Sequence, residues 1–131
     1  MKYTDFYSEL GKLMYAIAKA DGKVGNEEYN TLKKIVREEL LPLEKSTDEY
    51  GTDNAFYTEM EFDYLEDNYG DPILAFNSFI DYVEAHKSTF NEKIVNLIKR
   101  ISSRIASSEF GIDANEQKYL DKLNQKLKGL A

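Results

Sequence analysis

Apolar residues recur along this chain three and four positions apart, the spacing that aligns one face of an α-helix. Phe6, Leu10, Leu13, Met14 and Ile17 form the first stripe, and Tyr29, Leu32, Ile35, Val36 and Leu40 the second. Pro42 is expected to stop the second helix, because proline disfavours helical geometry at the residue before it. The segment 46–54 is polar, contains Gly51 and has no period, so it reads as a loop. Phe56, Tyr57, Met60, Tyr64 and Leu65 predict a third helix. Asp71-Pro72 is a start signal, with Asp as N-cap and Pro at the first helical position. Ile73, Phe76, Phe79, Ile80 and Val83 follow it, then Phe90, Ile94, Leu97, Ile98, Ile101 and Ile105, and finally Leu120, Leu123 and Leu127. Strict apolar–polar alternation is absent, so no sheet is expected. The pattern predicts an all-α, single compact bundle of six to seven helices.

The chain also echoes itself. Ala16–Ile35 (AIAKADGKVGNEEYNTLKKI) aligns with Arg104–Leu123 (RIASSEFGIDANEQKYLDKL) at an offset of 88. Asp21 meets Glu109, Val24 meets Ile112, and Glu28 meets Glu116. Each copy reads as helix, tight turn, helix, which suggests an internal helix-turn-helix pseudo-repeat with halves at about 4–41 and 90–128. The whole of 1–131 reads as one domain, interrupted by an acidic insertion over 44–71.

The first turn invites comparison with a calcium loop. With Gly22 at loop position 6, Asp21, Val24 and Glu28 fall on suitable positions. Positions 1 and 3 fall on Ile17 and Lys19, where carboxylates belong. The second copy puts Ile105 and Ser107 there, so an EF-hand is rejected in both. Local chemistry explains the turns without metal. Gly22 can take a positive φ and end the first helix. Asp113 and Glu116 form a capping box, with Gly25 and Glu28 as a weaker equivalent. Val24 and Ile112 are expected to plug the gaps between the paired helices.

Charge changes the picture in the middle of the chain. From Glu44 to Asp71 ten acids face the single base Lys45, a net −9, so the remainder carries +2 of the total −7. Such a chain does not suit phosphate backbones, and nucleic acid is not expected as a partner. Cations or basic protein surfaces are. The acidic segment also holds Tyr57 and Tyr64, and aromatic residues anchor many interfaces. Glu59, Glu61, Asp63, Glu66, Tyr57 and Tyr64 are therefore the candidate partner-binding residues, on a helix expected to pack one aromatic face and open one acidic face. No stretch approaches the ~20 apolar residues of a membrane span. With no leader-like start, the chain is expected to be cytoplasmic. Cysteine is absent, which excludes disulfides, thiolate metal sites and a cysteine nucleophile. His86 is the only histidine and is expected to serve a helix C-terminus. Ser102, Ser103, Ser107 and Ser108 lack a nucleophile elbow. No catalytic residue and no organic cofactor is nominated.

The turn Ala18-x-Ala20-Asp21-Gly22-Lys23-Val24, followed by Glu28, resembles that of the TerB-like family: the tellurite-resistance protein TerB and the related domain beside J-domains in some co-chaperones. Its degenerate echo is Ala106, Glu109, Ile112 and Glu116. The second copy lacks Asp-Gly, and the 44–71 insertion departs from the family's compact connection. The resemblance implies an all-α bundle with a pseudo-repeat and no established enzyme activity. It also implies a weak divalent-cation site near the two turns, formed by Asp21, Glu28, Glu109 and Glu116. The preferred reading is a non-enzymatic interaction module that binds a basic protein surface and leaves a homodimer open. The alternative is a cation-binding protein of the stress or tellurite-resistance type. A carboxylate-based hydrolase is weaker still, since clustered acids alone supply neither a nucleophile nor an orienting base.

Overall fold

The computed structural model describes residues 3–20, 22–43, 54–108 and 111–130. Among the described residues there are six α-helices and no strand: α1 (Tyr3–Ala18), α2 (Asn26–Ile35), α3 (Tyr57–Asp67), α4 (Pro72–Ala85), α5 (Glu92–Ala106) and α6 (Ala114–Leu127). Short 3₁₀ turns at Asn54–Phe56 and Lys87–Thr89 lead into α3 and α5. The expected all-α class holds. The loop expected over 46–54 lies outside the described residues except for Asn54, which opens the first 3₁₀ turn.

The first helix is the hub. Beyond its predicted stripe, Tyr7, Tyr15, Ala16 and Ala18 are also fully buried, so α1 is buried on every side from Leu13 to Ala18, while Asp5, Ser8, Glu9 and Lys12 form a polar stripe on its first half. It packs against α3, α4, α5 and α6. The closest approach is to α3, at Gly11. A Cβ there would stand 2.6 Å from the Thr58 carbonyl oxygen and 3.0 Å from Glu61 Cβ. Thr58 lies on the same crossing and donates its hydroxyl to the Tyr7 carbonyl at 2.7 Å. Phe62, one turn on, is fully buried with its ring edge-on to Tyr15, centroids 5.8 Å apart. Burying a ring of that size contributes about 1.5–3 kcal/mol.

This crossing corrects the third predicted stripe. The core face of α3 is Thr58 and Phe62, with Leu65 and Phe56 half-buried, whereas Tyr57, Met60 and Tyr64 are exposed. The sequence pattern favoured the larger apolar set, but a backbone this close to α1 admits only a small residue at the contact point.

Pro42 does not end the second helix. Leu41 keeps helical angles (φ −61°, ψ −44°), and 41–43 remain helical. Directly before it, Val36–Leu40 forms a π-helical turn, in which the Leu41 N–H reaches back to the Val36 carbonyl. A wider turn relaxes the clash that a proline ring makes with the carbonyl four residues earlier in an α-helix. The same turn carries Glu38 and Glu39 to α5. Glu39 accepts from Arg100 Nε at 2.8 Å, and Glu38 from Arg104 at 2.9 Å.

Candidate interaction surface

The start of α4 forms as predicted: Asp71 accepts from the Ile73 N–H at 2.8 Å, and Pro72 occupies the first turn. The two turns that the sequence aligns are capped in a similar way. The Glu28 carboxylate accepts from the Gly25 N–H at 3.0 Å, and the Glu116 carboxylate from the Asp113 N–H at 3.1 Å. Only Asp113 completes its box, because glycine has no side chain to return the bond. Both glutamates are buried. Gly22 has φ +94° and Gly111 φ +82°. The glycine thus sits two residues before Val24 but directly before Ile112. Val24 packs on the core, while Ile112 is exposed, contrary to its expected role as a plug.

Of the four residues proposed for a cation, Asp21 and Glu109 lie outside the described residues, and Glu28 and Glu116 each serve their own helix start. Among the described residues no three His, Asp or Glu side chains converge as a metal would need. His86 caps α4, with Nδ1 2.9 Å from the Tyr82 carbonyl oxygen. Ser107 and Ser108 bond carbonyls of their own helix end, at 2.8 Å each. The polar group nearest to a catalytic set joins α1 to α4. Lys12 Nζ lies 2.9 Å from Glu9 and 3.1 Å from Ser78 Oγ, and Ser78 donates to Glu9 at 3.0 Å. Lys12 also lies 4.0 Å from Glu61. An ammonium held by two carboxylates has no lone pair with which to take a serine proton.

The acids of α3 are not an open face. Glu59 lies 3.7 Å from Arg37, Glu61 meets Lys12, and Glu66 lies 3.7 Å from Lys19. Asp63 accepts from the Tyr29 hydroxyl, which, with burial, pushes that phenol up to about 12. These four acids lie along the sides of the helix and tie it to α1 and α2. Sequence reasoning missed their partners, since Lys12, Lys19 and Arg37 lie in other segments, with no local signal.

What stands outward instead is apolar. Met60 is 59% and Tyr64 61% exposed, and Tyr57 joins them at helical spacing. At 100° per residue, Glu61 borders this ridge on one side and Asp63 and Asp67 on the other. The helix holds five acids and no base. It ends in a Schellman turn: Gly70 N–H bonds the Leu65 carbonyl at 2.8 Å, and Tyr69 N–H reaches the Glu66 carbonyl at 3.5 Å. The residue in the left-handed position is Tyr69, with φ +55°, where glycine or asparagine is usual. Its ring is 89% exposed. It is a strained backbone carrying a large side chain into solvent. Glycine falls one position late, at Gly70, whose carbonyl accepts from Tyr15 at 2.6 Å.

Two further surfaces lie elsewhere. A groove of about 570 Å³ between the π-helical turn and α5 is lined by Glu38, Glu39, Pro42, Lys93 and Arg100, and its charges largely satisfy one another. The other runs between α4 and α6. No family model, curated protein or solved structure matches this chain.

Proposed function

We propose that this protein is a non-enzymatic interaction module of TerB-like kinship, and that the α3 ridge receives a protein partner with a basic surface. The observation that carries this reading is the outward stripe of Tyr57, Met60 and Tyr64 on a helix with five acids and no base. Aromatic and methionine side chains supply contact area, and acids around them select the partner's charge. Tyr69 stands exposed in the turn just beyond the helix. The TerB-like kinship is supported by the matched roles of Glu28 and Glu116 in their two turns. A cytoplasmic setting accords with the lack of cysteine.

Reversing Glu59, Glu61 and Glu66 is a poor test, because it would break the ion pairs that hold α3 to α1 and to Arg37. The exposed residues are the right target. Immobilised wild-type protein and a Tyr57→Ser, Met60→Ser, Tyr64→Ser variant are exposed to cell lysate at low and high salt. Basic proteins should be retained by the wild type, lost from a variant that still melts cooperatively, and released by salt. Identical retention by both forms would refute the reading.

A further inference from the structure

The groove between α4 and α6 has the opposite character to the α3 ridge. Two adjoining cavities of about 240 and 470 Å³ share Phe76, Asn77 and Lys122 as lining and so form one channel. Its floor is Ile73, Phe76 and Ile80 of α4, with the Tyr119 ring on Phe76 at 4.9 Å between centroids. Ile73 is 60% exposed although its sequence stripe predicts burial. Its rim is a row of lysines four residues apart on α6: Lys118, Lys122 and Lys126. Lys126 is paired with Glu84, but Lys118 and Lys122 make no ion pair with any described residue.

We infer that this groove receives the α3 ridge of a second copy of the chain. The inference rests on the interaction reading above and names the basic partner of that same site. Three features support it. The signs match: the ridge lies on a helix with five acids and no base, with Asp67 exposed at its border, and the groove is rimmed by Lys118 and Lys122. The lengths match: Tyr57 to Tyr64 and Ile73 to Ile80 both span eight residues, about 10 Å of helix between their ends. The connection allows closure: ridge and groove floor are joined by only the turn from Asn68 to Asp71. With ridge and groove on the same chain, a reciprocal exchange about a two-fold axis forms every contact twice and ends the assembly at a dimer.

Sedimentation velocity of the full chain over a concentration series tests this. The wild type should shift from monomer to dimer, more readily at low salt. Lys118→Glu with Lys122→Glu should weaken dimerisation by at least about tenfold, as should the Tyr57, Met60 and Tyr64 serine variant. Mixing the two variants should restore a weaker dimer, because one intact ridge then meets one intact groove. A wild type monomeric at all concentrations, a dimer indifferent to both variants, a mixture that stays monomeric, or an open ladder of oligomers would each overturn the proposal. If the wild type stays monomeric while the ridge variant still loses its basic lysate proteins, only self-pairing fails and the interaction reading survives.

Discussion

Tyr69 offers a direct measurement of strain held in the turn that ends α3. An L-residue in the left-handed region costs roughly 1–2 kcal/mol relative to its preferred conformations. The Tyr69 ring is too exposed for burial to offset this. Replacement by asparagine, which tolerates the left-handed region, should recover most of that strain. Glycine removes it entirely but adds unfolded-state freedom, which costs about 0.5–1 kcal/mol, so its net gain should be smaller. Alanine removes the ring and keeps the strain, and should leave stability nearly unchanged. For a chain of this size, Tyr69→Asn should raise the melting temperature by roughly 2–5 °C. Chemical denaturation of wild type and the three variants, with equal m-values, gives the comparison. If asparagine and glycine were both less stable than tyrosine, the strain would not be where the geometry puts it. If alanine alone proved strongly destabilising, the ring would have a packing role that its exposure denies.

Two further outcomes follow from the helix contacts. Gly11→Ala should destabilise by about 1–2 kcal/mol in denaturant melts, because overpacking against the Thr58 carbonyl outweighs the ~1 kcal/mol gained in helix propensity; a more stable variant would refute the close approach. Stability should fall as pH rises from about 10 to about 12, because Tyr29, bonded to Asp63, and the half-buried Tyr82 both hold their protons up to about 12 while the unfolded chain releases them from 10 upward. Phenolate absorbance tracks this titration, and Tyr29→Phe should flatten the loss; an unchanged alkaline profile in that variant would remove Tyr29 from the account.

The helices were legible because their core faces repeat with helical period, and the starts of α4 and α6 because Asp71 and Asp113 carry their own capping chemistry. The facing of α3 was not. Its period is right, but Tyr57, Met60 and Tyr64 satisfy a core pattern as well as Thr58, Phe62 and Leu65 do. The choice is made by Gly11, forty-seven residues before Thr58 in the chain. Pro42 misled for a related reason, since the π-helical turn that accommodates it has no compositional signature. The acids of α3 were legible as a cluster but not as a framework, because the cations that engage them belong to other segments. The groove lysines were visible as residues, yet their row acquires meaning only once α4 lies beside α6.

The position of the hub helix also has a consequence for synthesis. α1 precedes in the chain every helix that covers it. At about 5–20 residues per second, several seconds separate the emergence of Ile17 from that of Leu127. Throughout that interval a helix whose last six residues, Leu13 to Ala18, all end up buried has no complete shelter. Nearest-neighbour pairing cannot provide it, since α2 is not among its main contacts. The nascent chain is therefore a natural client for holding chaperones until α5 and α6 arrive, and a ribosome stalled before α6 would display the stickiest surface the protein ever shows.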